Sequence, residues 1–173
     1  MKVFISGGCK NGKSMFAQRV AKKLAGDGPL YYVATMIPSD DEDRARIARH
    51  ISERDGWGFD TIECGKDIMS ALSGADKNGT FLVDSVTALV LNEMDDTDYG
   101  KKCASELLEF AGSVNNVVFV SDFIYSDAVT YDDFTETFRE ALAECDKTLA
   151  DICESVVEVS VCNKIYHKGE VWE

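Results

Sequence analysis

Short apolar runs alternate along the chain with longer stretches whose apolar positions recur every three or four residues. The runs fall at residues 2–6 (KVFIS), 30–35 (LYYVAT), 80–86 (TFLVDSV), 116–122 (NVVFVSD) and 156–162 (VVEVSVC). The last three are β-branched and almost continuously apolar, the composition of strands covered on both faces. Residues 57–63 (WGFDTIE) alternate apolar and polar and predict an edge strand. The tail 164–172 (KIYHKGEVW) predicts a short hairpin arm. Helical spacing fills the gaps. A helix is predicted from Lys13 to a stop at Gly26, and another over 40–54, with acids in its first turn and arginines later, as the helix dipole favours. Further helices are predicted at 105–114 and over 131–156. In the last, Phe134, Phe138, Leu142, Cys145, Leu149 and Ile152 form one stripe, which predicts a core-facing surface.

Strands separated by helices predict an α/β fold: a mostly parallel, doubly wound sheet with helices on both faces, in one domain spanning 1–173. Ligands of such sheets bind beyond the carboxyl ends of the strands. That singles out residues 7–14, Thr35, Asp84, Ser121 and Asp122.

Composition narrows the partners. The chain has 173 residues and a net charge of −13, with no basic stripe. Nucleic acid and anionic membrane surfaces are therefore not expected partners. No run approaches the ~18 apolar residues of a membrane span, and the apolar start is too short for a secretion signal, so a cytoplasmic location is expected. Six cysteines lack any C-x-x-C spacing. Structural zinc is not expected; reduced thiols packed as small core residues are.

One motif carries chemistry. Gly7, Gly8, Cys9, Lys10, Asn11, Gly12, Lys13 and Ser14 satisfy G-x-x-x-x-G-K-[ST] after a predicted strand and before a predicted helix. Glycines let consecutive backbone N–H groups turn inward around a phosphate chain, and the helix N-terminus points at the same anion. The lysine reaches the β- and γ-phosphates, and the serine hydroxyl ligates Mg²⁺. This is a P-loop NTPase-type signature and predicts a nucleoside triphosphate ligand. Asp84 ends the apolar run TFLVD, the position of a carboxylate that holds magnesium; a cap on the following helix is the alternative, a role also open to Ser85 or Thr87. Of the two histidines, His167 lies in the tail. His50 lies in a charged helix near a strand end, where an imidazole is a competent nucleophile toward phosphorus and a solvated helix residue is the alternative.

The segments SGGCKNGKS, LYYVAT, DDEDRARIARHISERDGWGFDTIE and FLVDSVTALVLN together resemble the adenosylcobinamide kinase / adenosylcobinamide-phosphate guanylyltransferase family of cobalamin biosynthesis. The resemblance runs through about the first 92 residues. It implies a homotrimer that uses ATP or GTP to phosphorylate the hydroxyl of adenosylcobinamide. It also implies that a histidine, here His50, takes GMP from GTP and passes it to the cobinamide phosphate. Lys13 and Asp84 would share the catalytic work. Val33, Ala34, Thr35, Ile51, Ser52, Glu53, Arg54 and Glu63 would join the glycine loop and Asp84 in contacting nucleotide, with Ser14 and Asp84 at the metal. Arg46, Arg49 and Arg54 are the cations available to the transferring group, with solvated helix positions as the alternative. Later the chain departs from the family pattern: Ser121, Asp122 and Ile124 stand for its asparagine, glutamate and glycine, and Ala143 and Asp146 for a glycine and an asparagine. The departures direct attention to the acceptor. A kinase or nucleotidyltransferase with another acceptor, and a nucleotide-binding protein without turnover, are the alternatives.

Overall fold

The computed structural model describes residues 1–94, 99–169 and Trp172; the side chains of Arg46 and Glu53 also lie outside what it describes. Seven strands form one sheet in the order β3-β2-β4-β5-β1-β6-β7. They are β1 (Lys2–Gly7), β2 (Leu30–Ala34), β3 (Asp60–Glu63), β4 (Thr80–Asp84), β5 (Asn116–Asp122), β6 (Ser155–Ser160) and β7 (Asn163–Lys168). All neighbouring pairs are parallel except β6 with β7, which close the sheet as an antiparallel hairpin. The expected mostly parallel α/β sheet is therefore present. The alternating segment 57–63 supplies β3 at one edge, and the tail supplies β7 at the other.

Successive side chains of a strand point to opposite faces, and each face has its own core. Val3, Ile5, Leu82, Val118 and Val120 pack with Phe16, Ala17 and Val20 of helix α1 (Lys13–Ala25). Phe4, Phe81, Val83, Val117 and Phe119 face the other way, onto helices α3 (Val86–Asn92), α4 (Tyr99–Ser113) and α5 (Asp133–Ile152). There Phe81, Phe110 and Phe119 contact edge to face, with centroids 5.6 and 6.3 Å apart. Each such pair is worth ~1 kcal/mol beyond its area.

The stripe expected on α5 is the core face for Leu142, Cys145 and Leu149, which are fully buried. Phe138 and Ile152 pack at its margin. Phe134 departs from the expectation and is 58% exposed, because it sits in the first turn of α5, beyond the edge of the sheet. Cys64, Cys103, Cys145 and Cys153 are buried thiols, while Cys9 and Cys162 are exposed. Burial pushes the Cys153 thiol up to about 12. The sequence pattern did not predict α3, whose seven residues are too few to show a period. Among the described residues, no helix is long and apolar enough to cross a membrane.

Helix α2 (Asp41–Glu53) is different in kind. Its start is fixed locally: Asp40 accepts from the Asp43 N–H at 2.8 Å, and Asp43 in return accepts from the Ser39 N–H at 3.0 Å. This reciprocal cap satisfies donors that an exposed helix start would otherwise leave to water. Among its described residues, none belongs to either core cluster. It lies over the carboxyl ends of the strands instead.

One carboxyl sits uncomfortably in this frame. Asp146 of α5 accepts from the Tyr125 hydroxyl at 2.9 Å. Burial raises its pKa from the ordinary 3.8 to about 6, with the Ser121 and Tyr125 hydroxyls pulling the other way. A carboxyl with a raised folded-state pKa holds its proton more tightly when folded. Stability is therefore full below the unfolded value and falls as pH climbs from about 4 to about 6, a loss of ~3 kcal/mol at ~1.4 kcal/mol per pH unit. An amide can accept the same Tyr125 bond without carrying charge. Asp146→Asn is expected to raise the unfolding free energy by about 1–3 kcal/mol near neutral pH. Urea titrations should show that gain vanish near pH 4; a gain independent of pH would assign the effect to packing.

Candidate functional site

Because six strands run parallel, Gly7, Ala34, Glu63, Asp84, Asp122 and Ser160 all end on the same edge of the sheet. The glycine loop joins β1 to α1 there. Gly7 has no room for a side chain: a Cβ would overlap the Val159 carbonyl oxygen and come within 2.8 Å of the Asn11 amide nitrogen. That amide donates to the same carbonyl, tying the loop to β6. Gly12 caps α1 with φ +92°, a left-handed conformation that side chains resist. The cap makes no side-chain bond, and the first turn carries no acid. The leading N–H groups of α1 and its dipole are thus left to an external anion.

Lys13 is nearly buried, at 8% exposure. Its ammonium donates to the Gly8 carbonyl at 3.3 Å and to Asp122 Oδ1 at 2.5 Å. Ser14 follows, half-buried, in the first turn of α1. Cys9 and Lys10 are exposed at the loop's crest, Lys10 with φ +56°.

Asp84 is not the cap of α3. Ser85 takes that role, accepting from the Ala88 N–H at 3.2 Å. The Asp84 carboxylate is instead oriented by the Tyr32 hydroxyl, which donates to Oδ2 at 2.8 Å. Tyr32 in turn carries the Arg54 guanidinium 4.0 Å above its ring centroid, and Arg54 donates to Thr61 Oγ1 at 3.1 Å. Arg54, which closes α2, is only 7% exposed. A desolvated cation over a ring is worth ~2 kcal/mol. The helix bearing His50 is in this way anchored on the same tyrosine that orients Asp84.

Between α2 and the strand ends opens a cavity of about 650 Å³. Ala34, His50, Ile51, Arg54, Glu63 and Asp84 line it, bringing together residues spread over four elements and the bends after them. Its walls are otherwise largely apolar, with Ile37 and Leu91 at about half exposure on the rim. Asp122 also lines it, so one carboxylate touches both the cavity and the glycine-loop lysine.

Other residues singled out from the sequence are placed elsewhere. Val33 is in the core. Thr35 is fully buried; its hydroxyl donates to the Ser85 carbonyl and accepts from the Ser85 N–H, both at 2.7 Å, clamping β2 to the turn after β4. Ser52 is exposed on α2 and does not line the cavity. Arg49 is exposed. His167 pairs with Glu158 at 3.1 Å on the hairpin. Glu53 and Arg46 belong to the undescribed side chains. Two functional groups went unassigned from the sequence, Tyr32 and Asp122. The first was hidden in a strand; the second was visible as a strand-end acid, but its pairing with Lys13 depends on β1 and β5 being neighbours.

Among the described residues, no group of three or more His, Cys, Asp and Glu side chains could hold a metal ion. The donor set at the loop, one serine hydroxyl and one carboxylate with a fixed oxygen, fits magnesium that arrives with a nucleotide and keeps most of its water.

Solved structures place the fold. A crystallised ATPase domain superposes with a TM-score of 0.53 at 13% identity, over 91% of this chain and 68% of that one. A KaiC-like protein from the hyperthermophilic archaeon Pyrococcus horikoshii OT3 gives 0.50 at 15% identity, over 97% and 78%. A prototypical ATPase from the type III secretion system of pathogenic bacteria gives 0.55 at 12% identity; it matches 92% of this chain, which spans only 51% of that ATPase. These likenesses establish a P-loop ATPase-type fold. A search of curated proteins gives no match. The family model described as cobinamide kinase / cobinamide phosphate guanyltransferase matches residues 3–164, and the chain belongs to that family.

Proposed function

We propose that the protein phosphorylates adenosylcobinamide with ATP or GTP and then transfers GMP from GTP to adenosylcobinamide phosphate through a guanylyl-His50 intermediate. The observation that supports this most is the shared cavity. His50, Asp84 and Glu63 line one space, and Asp122 joins that space to the glycine-loop lysine.

In the first reaction the acceptor hydroxyl oxygen bonds to the γ-phosphorus as the bond to the β-phosphate oxygen breaks. The open start of α1 and Lys13 would hold the triphosphate and neutralise the leaving diphosphate. In the second, an imidazole nitrogen of His50 bonds to the α-phosphorus of GTP and pyrophosphate leaves. A phosphate oxygen of the cobinamide phosphate then displaces His50 and takes the GMP. The covalent carrier divides one hard transfer into two easier ones. Arg54, fixed over Tyr32, and Glu63, at the end of the edge strand, are the polar groups offered to the nucleotide on the His50 side. Mg²⁺ bound at Ser14 and Asp84 would supply charge neutralisation for the phosphates. A single cytoplasmic domain assembling as a homotrimer belongs to the same reading, by family resemblance.

Three outcomes test it. Incubation with GTP and magnesium should add one GMP to the peptide containing His50, read by mass spectrometry. His50→Ala should abolish the adduct and spare γ-phosphate transfer, which needs no protein nucleophile; label on another residue would sink the assignment. Lys13→Ala should weaken nucleotide binding by at least about 100-fold in calorimetric titration, the loss of a charge-assisted contact to phosphate, while circular dichroism stays unchanged. Unaltered affinity would remove the loop from the mechanism. Asp84→Asn should cut turnover by on the order of 100-fold. Tyr32→Phe, which frees the carboxylate without removing it, should raise the magnesium concentration for half-maximal rate several-fold with the maximal rate retained. Equal magnesium curves for Tyr32→Phe and wild type would show that the tyrosine has no part in orienting Asp84.

A further inference from the structure

We propose that Asp122 is the general base of the phosphoryl-transfer step, the group that accepts the proton of the attacking hydroxyl. The inference rests on the kinase reading above and adds a catalytic residue to it.

Position is the first argument. The strand order puts β5 between β1, which carries the glycine loop, and β4, which carries Asp84. Asp122 is the last residue of β5 and pairs in register with Gly7, so it stands where the loop meets the cavity. Its backbone is held from both sides. The Thr87 hydroxyl of α3 lies 2.8 Å from the Asp122 nitrogen and accepts its N–H, and the next residue, Phe123, donates its N–H to the Gly7 carbonyl at 2.9 Å. A carboxylate fixed in this way loses little freedom on acting.

Elimination is the second. Three acids line the cavity among the described residues: Glu63, Asp84 and Asp122. Asp84 is held by Tyr32. Glu63 ends β3, the far edge strand, separated from β1 by β2, β4 and β5. Asp122 alone of the three contacts Lys13, with its side chain 22% exposed.

The chemistry follows from the exchange of partners. With no phosphate at the loop, Lys13 and Asp122 satisfy each other, which keeps a nearly buried ammonium from standing unpaired. A γ-phosphate at the loop offers Lys13 a stronger anion. The Asp122 carboxylate is then released beside the phosphate, on the side from which the cavity admits an acceptor. As the acceptor oxygen bonds to the γ-phosphorus and the bond to the β-phosphate oxygen breaks, the hydroxyl proton passes to Asp122 and the nucleoside diphosphate leaves with the electron pair. A positioned base contributes about 10²–10⁴-fold.

The test follows two label transfers in full-length protein. Asp122→Asn should lower kcat for γ-phosphate transfer from ATP to adenosylcobinamide by about 10²-fold or more, with the nucleotide KM within about threefold of wild type. GMP loading of His50 from GTP should persist, and Asp122→Glu should recover at least about a tenth of the kinase rate. Kinase activity within threefold of wild type in Asp122→Asn overturns the proposal. So does a parallel loss of kinase activity, nucleotide affinity and GMP loading, which would mean that Asp122 only holds Lys13 and the loop. Wild-type protein that releases γ-phosphate to water but not to the corrinoid would overturn the acceptor reading alone; Asp122→Asn must then lower that hydrolysis by the same factor, and an equal rate rejects the base. Wild-type protein that releases no γ-phosphate to either acceptor overturns both.

Discussion

The parallel pairing of β1 with β5 and of β5 with β4 is the constraint from which the site descends. It sets Lys2 against Val117 and carries that register up to Gly7 against Asp122. It sets Thr80 against Asn116 and ends with Asp84 against Val120. These central strands are buried on both faces, so a slip of one residue would turn Val118 and Phe119 toward the wrong cores. The aliphatic and aromatic packing that forbids such a slip is also what fixes the loop, the acid of β5 and the acid of β4 in one row. Precision at the edge of the sheet is inherited from its interior.

An acidic protein that binds a polyanion has to solve the problem locally. The net charge of −13 repels phosphate at long range, though salt screens much of that beyond about 10 Å. Close up, the donors are backbone N–H groups and a lysine, and the acids present are already engaged. Asp122 is neutralised by Lys13, and Asp84 accepts from Tyr32. Replacing a protein carboxylate with a phosphate at Lys13 exchanges one anion for another, so the loop's charge balance changes little as ligand enters.

Much of this was legible from pattern. The alternation of apolar runs and helical stretches marked every strand, and the glycine motif marked the loop, because both signals are local. Resemblance supplied His50, Arg54 and Glu63, which the cavity then gathers. Other features were illegible for physical reasons. Tyr32 read as a core strand residue, and its bond to Asp84 spans 52 positions. The ion pair of Lys13 with Asp122 spans 109. Neither can be inferred until the strand order is known, and nothing in a run of valines states which run lies beside it. Thr35 illustrates the converse. It stands in a matched segment beside the cavity, yet its hydroxyl is spent on Ser85.

Helix α2 joins the body unevenly, and that has a mechanical meaning. Its amino end is secured by Asp40, Ser39 and Asp43, all within the helix and its own cap, whereas its carboxyl end is clamped to the sheet through Arg54 on Tyr32. The energy to displace the first half is therefore the energy of a few surface contacts, and the energy to displace the second includes a buried cation. His50 lies one turn from the clamped end. A bulky guest can push the far end aside like a door on its hinge, while the imidazole, near the hinge pin, hardly shifts.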